Sequence, residues 1–173
     1  MPLLLDQQIT TDYGQFTVLS DAELDWGLDE FFTGQSNGWV GAGVSGSLYV
    51  GLANWSGSRV RMELHNGIPD LGSWEDIVEV SVVFPSGSDV RWESWGGEAG
   101  AVLALPPDTY RVRVSADGRD TAARYDRRSD SPVDSYLIEL WPTARTDDDD
   151  DVVRTTSEDA AYWNGVWGGQ REG

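Results

Sequence analysis

The sequence predicts an all-β protein, an antiparallel two-sheet β-sandwich, jelly-roll-like, of about eight or nine strands. Three observations lead there. Apolar and polar residues alternate at period two over at least four separate segments, the signature of strands with one buried face. Turn-forming residues punctuate those segments at short intervals. Apolar residues make up 39% of the 173 positions and include nine Trp, enough to fill the space between two sheets.

Residues 7–19 open the chain with strand character. Asp21–Phe32 departs from it. Leu24, Leu28, Phe31 and Phe32 fall at helical spacing, and Ser20 with Glu23 forms a capping box, so a short helix is predicted near 21–32 despite Gly27. Strands follow near 39–44 and 47–53. Val60, Met62 and Leu64 then alternate with Arg59, Arg61, Glu63 and His65 up to the Asn66-Gly67 turn. Val78, Val80, Val82 and Phe84 alternate with Glu79 and Ser81 up to Pro85-Ser86-Gly87. Strands near 88–95 and 100–105 are separated by Gly96-Gly97 and closed by Pro106-Pro107-Asp108. Tyr110, Val112 and Val114 alternate with Arg111 and Arg113. Tyr136, Ile138 and Leu140 alternate with Leu137, Glu139 and Trp141. The chain thus divides into a β-sandwich domain over residues 1–142 and an acidic, then Trp/Gly-rich tail over 143–173. In the tail, Asp147–Asp151 reads as a self-repelling linker. Tyr162-Trp163 through Trp167 reads as a segment that docks back on the body or anchors a partner.

Charge narrows the partners. Thirty acidic residues stand against 12 basic ones, a net charge of −18, and every basic residue is Arg. The exclusive use of Arg points to a GC-rich coding sequence and a bacterial source. A field of this sign repels a phosphate backbone and an anionic membrane, and it speeds encounter with a basic protein. Strand alternation sorts the charges by face. The outward positions Arg59, Arg61, Glu63, Glu79, Arg91, Glu93, Arg111, Arg113 and Glu139 are nearly neutral together and read as a solvated face of cross-strand ion pairs. Residues 1–142 hold 22 carboxylates and nine Arg. Setting those four Glu and five Arg aside leaves 18 against four, concentrated in loops and in the 21–32 segment.

Several chemistries are excluded or disfavoured. There is no Cys, hence no disulfide or thiolate site, and His65 is the sole His, hence no multi-histidine metal site. His65 is also the one candidate base for a serine triad, and Gly43-Val44-Ser45-Gly46-Ser47 lacks the closing glycine of a nucleophile elbow. Glu93 and Glu139 face outward among arginines, which would lower both pKa values rather than raise one to serve as a glycosidase acid. Asp21, Glu23 and Asp25, and Asp117-Gly118-Arg119-Asp120, do not match calcium-loop spacing. The Met1–Asp6 start is no secretory signal and no apolar run reaches membrane-spanning length, so a cytoplasmic location is expected.

Three pieces carry a family resemblance. Tyr13-Gly14-Gln15-Phe16 lies on the first strand and is followed by Trp26. Leu105-Pro106-Pro107-Asp108-Thr109-Tyr110-Arg111-Val112 is a proline-turn entrance to a late strand. Tyr136-Leu137-Ile138-Glu139-Leu140-Trp141-Pro142 is the last body strand. Over residues 9–142 this arrangement resembles the ComJ competence protein family, small bacterial β proteins. That resemblance implies a non-enzymatic inhibitor of a DNA-entry nuclease. It brings no inhibitory residue with it, and the tail falls outside it.

The sequence reading is therefore a non-enzymatic, acidic protein-binding module of inhibitor or immunity type that covers the basic groove of a nuclease. No catalytic residue, cofactor or metal is assigned. Asp21, Glu23, Asp25, Asp29 and Glu30, with Trp26 as anchor, are the expected contact surface. The alternative is a carbohydrate- or calcium-binding β-sandwich, in which the Trp-rich composition would supply a sugar platform.

Overall fold

The computed structural model describes residues 2–11, 13–20, 27–54, 57–94, 99–124, 133–144 and 150–169. Among them run eleven strands and three short helices: β1 Leu3–Ile9, β2 Gln15–Leu19, α1 Leu28–Phe31, β3 Val40–Gly41, β4 Ser47–Gly51, β5 Ser58–Leu64, β6 Asp76–Val83, β7 Arg91–Ser94, β8 Gly100–Val102, β9 Thr109–Asp117, α2 Arg119–Arg124, β10 Ser135–Pro142, β11 Asp151–Thr155 and α3 Glu158–Trp167. They form an all-β two-sheet sandwich. A six-stranded sheet has the order β1-β5-β10-β9-β6-β11, and a five-stranded sheet the order β3-β4-β2-β7-β8. No helix of the described residues is long and apolar enough to cross a membrane.

The period-two alternation works as the sequence indicates. Val60 and Met62, Val78, Val80 and Val82, Val112 and Val114, and Tyr136, Ile138 and Leu140 point inward. They meet Phe16, Val18, Leu48, Val50 and Trp92 from the facing sheet in one core. The strand count exceeds the expected eight or nine because the stretch read as one strand over 7–19 is two, β1 and β2, placed in different sheets, and because β11 comes from the 143–173 segment. Of the helix predicted near 21–32, residues 28–31 form the single turn α1. Gly27, in extended conformation, precedes its first turn. Positions 21–26 lie outside the described residues.

One pairing departs from an antiparallel fold: β10 lies parallel to β5, Tyr136 opposite Val60 and Glu139 opposite Glu63. Period-two patterning is identical for both pairings, so alternation alone could not reveal it. In the sheet order β5-β10-β9-β6, strands β5 and β6 run in the same direction, so residues 65–75 must cross the sheet to join them. That crossover lies on the outer face, where Arg113 donates to the carbonyls of Pro69 and Asp70 at 2.8 and 3.2 Å. Arg154 of β11 donates to those of Gly72 and Trp74. The predicted solvated face is therefore covered in part: Glu63, Arg111, Arg113 and Glu139 are buried, while Arg59 and Arg91 remain exposed.

Residues from the 143–173 segment pair and pack against the body. β11 adds to the free side of β6. α3 starts at Ser157, whose hydroxyl accepts from the Ala160 amide at 3.0 Å. The Asp120 carboxylate of α2 takes the amides of Glu158 and Asp159 at 3.1 and 2.9 Å. Asp76 completes the junction by accepting from the Thr156 and Ser157 amides and the Ser157 hydroxyl. At Gly38 a Cβ would overlap the Trp163 carbonyl, so the chain of residues 34–39 and α3 touch backbone to backbone. The Asp147–Asp151 run behaves differently from a linker at its far end. Asp150 is buried and accepts from the amides of Ser36 and Asn37 and from the Asn37 side chain, and Asp151 pairs with Arg111. Positions 147–149 lie outside the described residues.

Candidate functional site

A cleft of ≈ 210 Å³ lies at the end of the sandwich where β1 runs into β2. Aromatic and aliphatic side chains from five places line it: Tyr13 before β2, Leu28 of α1, Trp39 before β3, Tyr49 of β4, and Trp163 and Trp167 of α3. Local sequence explains the convergence. Tyr49 alternates with inward Leu48 and Val50, so it stands on the outer face of the five-stranded sheet. There Phe31, Phe32 and Val44 pack with it, Leu28 and Trp167 lying against them. Phe32 stacks on Trp167 with centroids 6.2 Å apart. The Tyr49 hydroxyl donates to Gln15 Oε1 at 2.9 Å. Burial pushes the Tyr49 pKa up to about 12, the Arg119 charge opposing that rise only in part.

Arg119 closes the floor. Its side chain is 1% exposed, rare for an ionised group unless it is paired. Nε and Nη2 both donate to Asp159 Oδ2 at 3.0 and 2.9 Å. Nη1 donates to the Gly51 carbonyl at 2.7 Å and to Tyr136 Oη at 3.0 Å. The guanidinium also lies 4.7 Å from the Trp39 ring centroid. Desolvation works against this cation, but Tyr136, Asp159, Asp134 and Asp76 together outweigh it and hold its pKa above the usual value. Tyr136 in turn donates to Asp134 Oδ2 at 2.7 Å, and burial drives the tyrosine pKa well up. Asp134 also accepts from the Ser58 hydroxyl and the Ala53 amide. Each nitrogen of Arg119 is thus engaged within the protein, and aromatic side chains form most of the cleft wall around it.

Of the predicted contact residues, Asp29 and Glu30 are exposed on α1, immediately after the cleft residue Leu28. Asp21, Glu23, Asp25 and Trp26 lie outside the described residues. Exposed Glu158 and partly exposed Asp120 and Asp159 carry further carboxylates at the α2–α3 junction. Sequence reasoning missed Arg119, Trp39, Tyr49 and the α3 tryptophans as partners in one cleft. Asp117-Gly118-Arg119-Asp120 reads as an acidic turn, and no local pattern tells a buried, paired Arg from a surface one.

A second polar constellation lies on the outer face of the six-stranded sheet. Register places Glu63, Glu139, Arg113 and Glu79 side by side on β5, β10, β9 and β6. Arg113 Nε is 2.9 Å from Glu79 Oε1, and its guanidinium lies 5.3 Å from the Trp141 ring centroid. Glu139, expected from its Arg neighbours to have a lowered pKa, has a raised one. Burial under the crossover outweighs Arg113 and His65, and Glu63 and Glu79 add to the rise.

No protein-family model matches the chain, and no curated protein matches its sequence. Among solved structures, ComJ of Bacillus subtilis, inhibitor of the DNA degrading activity of NucA, superposes with a TM-score of 0.56 at 18% identity, covering 82% of this chain and 98% of that one. This chain has the ComJ fold. A structure described as crocagin biosynthetic gene J matches at 17% identity and a TM-score of 0.49 over 83% of this chain and 98% of that one. The ComJ fold accounts for nearly all of the ComJ chain and leaves part of this one outside the match.

Proposed function

We propose that this chain is a non-catalytic inhibitor of competence type that acts in the cytoplasm by covering the basic groove of a DNA-degrading nuclease. The observation that carries the reading is an aromatic-lined cleft beside α1, the helix that exposes Asp29 and Glu30, on a protein of net charge −18 with the ComJ fold. Carboxylates on α1 speed encounter with a cationic groove, and the aromatic walls supply the desolvated anchor that charge alone does not. The chain then competes with DNA for the groove instead of binding DNA itself.

The experiment is capture at low salt on the immobilised chain from lysate of the source cells, elution along a salt gradient, and assay of each fraction for DNA degradation with and without added free chain. The reading expects a nuclease that elutes with salt and is silenced by stoichiometric chain. The double reversal Asp29→Lys, Glu30→Lys should slow association on the order of tenfold at low salt. A captured nuclease that excess chain leaves fully active would refute the proposal. The aromatic cleft alone would also suit a sugar ring, and quenching of Trp fluorescence by oligosaccharides, with no nuclease captured, would favour that reading.

A further inference from the structure

The outer face of the six-stranded sheet sets two carboxylates against one another. Glu63 and Glu139 are direct register partners in the parallel β5–β10 pair, an arrangement that destabilises a sheet when both are charged. Each side chain is only 9% exposed. His65, two residues beyond Glu63 and so on the same face, brings Nε2 between them, 3.1 Å from Glu63 Oε2 and 3.4 Å from Glu139 Oε1. The other oxygens are held from outside. Arg61 Nε lies 2.6 Å from Glu63 Oε1, and Arg113 Nη1 lies 3.7 Å from Glu139 Oε2. One oxygen from each carboxylate and one imidazole nitrogen thus converge within 4.8 Å of one another.

A hydrogen bond explains only half of this. Nε2 carries at most one hydrogen, and the 3.4 Å separation to Glu139 is longer than an ordinary N–H···O bond. A tetrahedral cation with bonds of about 2.0–2.2 Å holds its ligand atoms roughly 3.3 Å apart, which matches both separations. We propose that Glu63, His65 and Glu139 form a binding site for a divalent transition cation of the zinc type, each supplying one donor atom. His65 is the most open of the three at 16% exposed. One nitrogen and two carboxylate oxygens suit zinc rather than calcium, which takes six to eight oxygens. Arg61 and Arg113 orient the two carboxylates through their outer oxygens, as second-layer partners of metal ligands do. The cation exchanges like-charge repulsion across the parallel pair for shared ligation and ties β5 to β10 beneath the crossover.

Because His65 is the only histidine in the chain, its imidazole is a single nitrogen-15 resonance set. The test is titration of the intact protein with Zn²⁺ alone, followed by that spectrum and by thermal melting. One equivalent should shift Nε2 and raise Tm by several degrees, reversed by EDTA. His65→Gln should lose the Tm rise, and Glu139→Gln should weaken Zn²⁺ binding at least tenfold. An unmoved His65 spectrum at one equivalent overturns the proposal whether or not the variants fold. So does a Tm rise that persists undiminished in His65→Gln, which would assign the ion to the acidic loops.

Discussion

Replacing Arg119 by Met removes the cation at the floor of the cleft while keeping most of the side chain's volume. Asp159, 13% exposed, then loses two hydrogen bonds and its counter-charge, and the Gly51 carbonyl and Tyr136 hydroxyl lose a donor. Breaking one side of a buried ion pair costs about 3–5 kcal/mol. Asp159 sits in the first turn of α3 with residual solvent contact, which favours the low end. The orphaned Gly51 carbonyl adds about 1 kcal/mol. The expected loss is therefore about 3–4 kcal/mol, large against the roughly 5–15 kcal/mol that holds a domain folded. Urea denaturation followed by Trp fluorescence measures it directly. Pairing Arg119→Met with Asp159→Asn removes the uncompensated charge and should recover about 2 kcal/mol of the sum of the single losses. A single-variant loss below about 1 kcal/mol, or strict additivity in the double variant, would refute the view that this ion pair joins α2 to α3.

Gly38→Ala should cost about 1–3 kcal/mol, because its Cβ overlaps the Trp163 carbonyl and α3 must move away, seen as faster amide exchange confined first to residues 158–167. The raised Tyr49 pKa fixes a pH response with a definite sign. Stability from keeping the phenol neutral is fully present below the ordinary value of 10 and drains away as pH rises through about 12, a loss of about 3 kcal/mol in all. Urea midpoints between these pH values should fall more steeply in the native protein than in Tyr49→Phe, and equal slopes would contradict the assigned burial.

Most of the sandwich is legible in the sequence because a half-buried strand must alternate. Val78, Val80 and Val82 could be placed inside before any coordinates, and so could Val112 and Val114. What alternation cannot encode is which strand lies beside which. The parallel β5–β10 pair and the crossover it forces have no local signature, yet they turn Arg113 and Glu139 from surface residues into buried ones. α1 carries Asp29 and Glu30 outward, as the charge pattern suggests. The cleft beside them draws on residues as far apart as Tyr13 and Trp167, and only the fold brings those together.

The C-terminal residues bear on where the surplus negative charge can act. Without β11, β6 would be a bare edge of the six-stranded sheet, open to pairing with another chain. β11 covers it, and the two aspartates at the end of the acidic run are spent internally in doing so. Asp150 satisfies the amides of Ser36 and Asn37, and Asp151 neutralises Arg111. A carboxylate paired with a guanidinium is largely cancelled at a distance, since the opposite charge lies within about 3 Å of it, and one held by amides keeps its charge but is committed to the fold and cannot close on a partner's cation. The same holds for Asp76, Asp134 and Glu79, each engaged in the fold. Among the described residues, exposed carboxylates outside these contacts include Asp70, Asp89, Asp29 and Glu30, and the last two are the pair on the helix beside the cleft. The aspartate run is conspicuous in the sequence, but removing the charge of its last two members should disturb folding before it disturbs association.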